Sequence, residues 1–137
     1  MSFSTEKVAI KNKFSTWTET RVKWPGIPFQ EPTVAWIAPN ILNGDSFDAT
    51  IGNPIQRRHV GVVSIQILDA ENKIDGDTRI RQIADLLLAM FINANSRLTI
   101  SATEYLDFSS PSLTPWQSLN GWQQMNLLVP YTRDLFS

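Results

Sequence analysis

The chain has 137 residues, enough for one domain with a core of useful size, and it is read as a single domain over residues 1–137. It contains no cysteine, which excludes a disulfide framework and thiolate chemistry. Lys plus Arg is 12 and Asp plus Glu is 13, so a whole-protein basic field for nucleic acid is excluded as well.

Charged residues make up only 18%, against roughly 25% in typical soluble domains, while tryptophan occurs five times. Few charges and many aromatics suggest surface meant to be covered by a partner. The N-terminal residues lack the continuous apolar run of a signal peptide. The longest apolar stretch, IADLLLAMFI, is about half a bilayer span. A soluble, unexported protein with no membrane contact is the expectation.

In chain order, residues 4–17 read as a helix. Ser4 or Thr5 can cap it, Glu6 suits the positive helix end, and Ile10, Phe14 and Trp17 form an apolar stripe. Residues 22–37, VKWPGIPFQEPTVAWI, are too apolar to float in solvent and too rich in proline for a helix. They predict an extended arm lying across the helix layer, anchored by Trp24 and Phe29, and leading into a short strand over 33–38 that Pro39 stops. Residues 39–56 read as a long loop, with Asn43-Gly44 as a turn signal or a hairpin turn. A strand follows over 56–68, with Val63, Ile65 and Ile67 on one face.

After a turn rich in carboxylates, Asp77 is placed to cap a helix over 78–93. Its apolar positions are Ile80, Ile83, Ala84, Leu87, Met90 and Phe91, and Leu86 and Leu88 widen the stripe to more than one side. Strands are predicted over 98–106 and 122–131, with a loop over 107–121 between them. The expected fold is α+β, with two helices on one face of a mainly antiparallel sheet of about four strands, in the order α-β-β-α-β-β.

Catalytic signatures are absent. The one histidine, His59, has no cysteine or second histidine to join it in a metal site, and it reads as a packing or surface residue. No nucleophile elbow, phosphate loop, dinucleotide fingerprint or zinc spacing occurs. Asp69, Glu71, Asp75 and Asp77 place four carboxylates in nine residues, a candidate site for a divalent cation such as magnesium. The simpler reading is a solvated turn with a helix cap. No other cofactor is implied. Arg57 and Arg58, with Arg79 and Arg81, are candidate phosphate or carboxylate contacts, or ordinary surface charge.

The strand sides opposite the apolar faces carry Ser64, Gln66, Ser101, Thr103, Gln124 and Asn126. A solvated sheet face usually carries lysine and glutamate. Neutral groups can be desolvated at lower cost. These six, with Arg57 and Arg58, are the predicted subunit interface.

WPGIPFQEP leading into TVAWI, the RRHVGVVSIQIL strand, the GDTRIRQIADLLLAMF helix and the closing NLLVPY strand, together with the helix bearing Phe14 and Trp17, span nearly the whole chain. In this order they resemble the tail terminator proteins of long-tailed bacteriophages. The resemblance implies structural work rather than catalysis. It implies a homo-oligomeric ring, commonly a hexamer, on the head-proximal end of the tail tube. That ring stops addition of the major tail tube protein and presents a surface to the head connector or neck protein, while DNA passes through the lumen without being read. The implied location is the virion tail, assembled in the bacterial cytoplasm. A head–tail joining protein is the alternative in the same setting. A small α+β ligand-binding domain or enzyme is the alternative outside it, and would need a concave pocket with convergent polar groups.

Overall fold

The computed structural model describes residues 3–48, 56–71, 74–92, 97–101 and 104–136. Helix α1 (Phe3–Lys13) continues into a single 3-10 turn (Phe14–Thr16). Strands β1 (Arg21–Val22), β2 (Trp36–Asp48) and β3 (Gln56–Ala70) precede helix α2 (Thr78–Phe91). Strands β4 (Arg97–Ser101), β5 (Glu104–Phe108), β6 (Ser112–Leu113), β7 (Gln117–Leu119) and β8 (Trp122–Phe136) close the chain. Among the described residues no helix is long and apolar enough to cross a membrane.

All eight strands belong to one curled sheet in the order β1-β2-β3-β8-β5-β4, with β6 and β7 also paired to β8. Among the described residues only the β1–β2 pair is parallel. The fold is therefore mainly β, and the expectation of two helices on a sheet of about four strands is overturned. The backbone of β3 is paired over all its 15 residues to β8, from Gln56↔Phe136 to Ala70↔Trp122.

Three differences explain the miscount. First, Pro39 does not stop β2. The Ile37 carbonyl accepts from the Lys23 N–H at 2.8 Å, so Ile37 turns its backbone groups away from β3. Pro39, two residues on, turns the same way, and its missing N–H faces the sheet edge, where a strand tolerates proline. Second, Asn43-Gly44 is not a turn. The register shifts between Asn43 and Ser46, which makes the segment a bulge inside the strand. A Cβ on Gly44 would lie 2.9 Å from the Val60 carbonyl oxygen, so glycine permits the close approach. Third, the stretch read as a strand over 98–106 is the hairpin β4–β5, and the loop over 107–121 contains β6 and β7.

Both helices lie on the face formed by the odd-numbered residues of β3 and β8. Ile10 and Phe14 of the first helical segment and Ile80, Ile83, Leu87 and Phe91 of α2 pack with Val63, Ile65, Ile67, Met125, Leu127 and Val129. An aromatic chain crosses this layer edge to face: Phe14–Phe91 at 5.6 Å, Phe91–Phe108 at 5.0 Å and Phe108–Tyr131 at 6.4 Å between centroids. Such contacts add about 0.5–1.5 kcal/mol each beyond burial. Leu86 and Leu88 are exposed, so α2 is covered on one side only. Asp77 precedes α2 but makes no side-chain cap bond; its carboxylate accepts from the Arg81 guanidinium at 2.8 Å.

The proline-rich arm does not lie wholly across the helices. Trp24 packs edge-on against Phe14 at 5.2 Å on the helix side. Phe29 sits 5.1 Å from Trp36, which in turn meets Trp122 at 6.1 Å, on the opposite face of the sheet. The arm therefore wraps the edge of β2 and contacts both faces there.

Candidate functional site

Among the described residues, the even-numbered side chains of β3 and β8, and of β2 as far as Leu42, form a sheet face with no helix on it. Register fixes its rows. Ala38, Gln66 and Asn126 lie abreast, then Asn40, Ser64 and Leu128, then Leu42, Val62 and Pro130. Gln66 donates to the Gln124 side-chain oxygen, and Gln124 donates to Gln117 at 3.1 Å. Ser64, Gln66, Gln124 and Asn126 are all half-buried. Asn126 Oδ1 is buried without a hydrogen-bond partner among the described residues. A buried acceptor of that kind is costly unless something supplies a donor.

Of the predicted interface, then, Ser64, Gln66, Gln124 and Asn126 share one surface. Thr103 lies outside the described residues, and Arg57 and Ser101 are described only in their backbone. Sequence reading missed the apolar component: Val60, Val62, Leu128 and Pro130 sit half-buried on this face, and Leu42 is exposed. Their period-2 spacing with Ser64 and Asn126 was the available signal.

Charge appears at one end of the face, already paired. Arg58 grips Asp134 through two bonds of 2.7 and 3.1 Å, and Arg97 grips Asp107 in the same way. These hydrogen bonds push both guanidinium groups above their ordinary value. Arg97 also stacks 3.9 Å from the Tyr105 ring centroid. Arg58 is thus occupied by its own chain. The opposite end is aromatic, where Phe29, Trp36 and Trp122 line an open cleft of about 390 Å³.

Beneath the helix layer lies a buried polar network that sequence reading also missed. Arg133 donates to Glu6 at 3.2 Å and to Glu104 at 2.5 Å. Tyr131 donates to Glu6 as well, and His59 Nε2 lies 3.8 Å from the same carboxylate. Glu6, His59, Tyr131 and Arg133 are each at most 1% exposed. Burial first, and the Glu6 hydrogen bond second, push the Tyr131 phenol well above its ordinary value. Two patterns pointed to this network. Glu6 stands four residues before Ile10 on the helical stripe, and Arg133 continues the alternation of Val129 and Tyr131. Its charges face each other, so the network braces α1 against β8 and β5.

The acidic turn is not gathered. Asp69 is buried and accepts from the Ala70 N–H at 2.9 Å, Glu71 accepts from Ser118, and Asp77 pairs with Arg81. Asp75 opens on a cleft shared with Asp69 and Arg79. Among the described residues no three His, Cys, Asp or Glu side chains are grouped to hold a metal ion.

Comparison with known proteins adds the rest. No curated protein matches this sequence. One solved structure that carries no functional description superposes with a TM-score of 0.67 at 15% identity, covering 98% of this chain and 96% of its own. That likeness concerns the fold alone. The family profile described as phage tail terminator protein matches residues 7–126. That span takes in α1 from Lys7, the edge-wrapping arm, β2, β3, α2 and β8 as far as Asn126. The chain belongs to the phage tail terminator family and is a structural component of a phage tail.

Proposed function

We propose that this protein closes the head-proximal end of a tail tube as a ring of its own copies, ending tube polymerisation and offering its outer surface to the head connector or neck protein. The observation that carries this reading is the helix-free sheet face. A monomer gains nothing from leaving Val60, Val62 and Leu128 half-covered. A second protein surface removes the apolar area from water at roughly 25 cal/mol per Å². The neutral amides around it then need only hydrogen-bond partners.

Near-neutral charge supports the same reading. A conduit lined with many free lysines or arginines would hold DNA tightly, because each phosphate contact releases counterions. Here Arg58 and Arg97 are already matched by Asp134 and Asp107. Six copies is the ring number that the family resemblance implies.

The test is assembly of the major tail tube protein in the presence and absence of this chain, with the chain tagged and imaged by electron microscopy. Expected are tubes of arrested growth bearing the tag at one end. Tag found on isolated head connectors and never on tube ends would replace this reading with that of a neck protein.

A further inference from the structure

We propose that the sheet continues from copy to copy: β4 of one protomer adds to the outer edge of β2, at residues 43–48, of the next. This rests on the ring reading above and names the seam that closes it.

The sheet path runs from β1 to β4, and because β1 covers only Trp36 and Ile37, the two described edges at the level of β4 are the outer sides of β2 and β4. The β2 edge is blocked along its first half by three separate devices. Strand β1 covers Trp36 and Ile37. Pro39 has no N–H to offer. Ile41, the next residue facing outward, has its N–H bonded by the Asn40 side chain at 2.9 Å. Residues 43–48 contain no proline, and among the described residues no strand pairs with their outer side; past the bulge between Asn43 and Ser46, residues 46–48 run in regular register with β3. Sheets blunt the edges they need to keep solitary, so the unblocked half is the half available for pairing.

The unblocked half is also the half that lies level with β4. One row runs Phe47, Arg58, Asp134, Tyr105, Thr99, and the next runs Ser46, His59, Arg133, Leu106, Leu98. Five strands cross the sheet at this level, each antiparallel to its neighbour. An odd number of alternating strands leaves β2 and β4 running in the same direction. Rotation about an axis along the strands therefore brings β4 beside a neighbour's β2 as a parallel pair. That contact is head-to-tail, the kind that closes rings. A two-fold dimer would instead pair β2 with β2 or β4 with β4. The lengths agree: β4 has five residues and the open stretch of β2 has six.

The chain has no cysteine, so introduced thiols stand alone. Asp48→Cys, Thr99→Cys and the double variant are each assembled and treated with a short bis-maleimide. The expected result is a ladder of linked subunits up to the full ring for the double variant, and no linked product for either single variant. Should Thr99→Cys fail to fold by circular dichroism, Ser101→Cys takes its place. Dimers from a single variant would overturn the proposal in favour of a two-fold edge. Rings seen by microscopy with no ladder would overturn the seam and leave the ring reading standing. Neither rings nor ladder, with tail tubes present, would overturn both.

Discussion

The two faces of this sheet are built from the same strands by opposite rules. The odd-numbered face is dry, aromatic and roofed by two helices, and its buried charges meet each other in the Glu6–Arg133–Glu104 network. The even-numbered face carries neutral amides and half-covered valines, with two Arg–Asp forks at one end and Lys23 and Glu31 beside the aromatic cleft at the other. The first face holds the protomer together without help. In the proposed ring, the second gains contact energy when another surface covers it. Substitutions on the two faces should therefore separate folding from assembly.

The largest effect is expected from Arg133→Met. It leaves two carboxylates, Glu6 and Glu104, without their shared cation, a loss of about 3–5 kcal/mol for a broken buried pair, measurable by urea unfolding. Gly61→Ala comes next on the same face. A Cβ there would lie 2.5 Å from the Tyr131 ring, and overpacking of this kind costs about 1–3 kcal/mol. A wild-type Tm for Gly61→Ala would mean that the ring is free to move aside.

Tyr131→Phe sharpens the comparison through pH. The folded phenol is held above its ordinary 10.0 by burial and by Glu6. The unfolded chain therefore loses this proton first. Stability is fully present below pH 10 and falls as pH rises past it, by up to about 1.4 kcal/mol per pH unit. The Phe variant should lose about 1–3 kcal/mol at neutral pH and show a shallower alkaline slope. Equal slopes would assign the alkaline loss to other groups.

On the open face, Gln66→Lys combined with Leu42→Lys should change unfolding free energy by only about 0.5 kcal/mol while abolishing ring formation in sizing and microscopy. Intact rings from this variant would break the division of labour between the faces. The smallest effect belongs to Asp77→Ala, which removes an exposed i,i+4 pair with Arg81, about 0.3–0.5 kcal/mol.

Alternation along β3 and β8 and the helical spacing of α2 were legible because each is a local pattern recording which side is buried. Val63, Ile65, Ile67, Ile83, Leu87 and Phe91 were identified as core residues in this way. Glu6 and Arg133 were legible in position but not in meaning. A carboxylate in a first helical turn and an arginine near a chain end look like solvated charges until the fold brings them within 3.2 Å.

Composition and periodicity by themselves determined a near-neutral, cysteine-free chain with two helical segments, long alternating strands and an uncharged strand side. Tertiary structure alone decided that Pro39 and Asn43-Gly44 belong inside a strand, that residues 112–113 and 117–119 pair with β8, and that the proline arm wraps an edge. Those segments have weak intrinsic strand preference. The first two become strand because β3 and β8, paired to each other on one side, present unpaired backbone groups on the other, and satisfying those groups outweighs what each short segment would do alone.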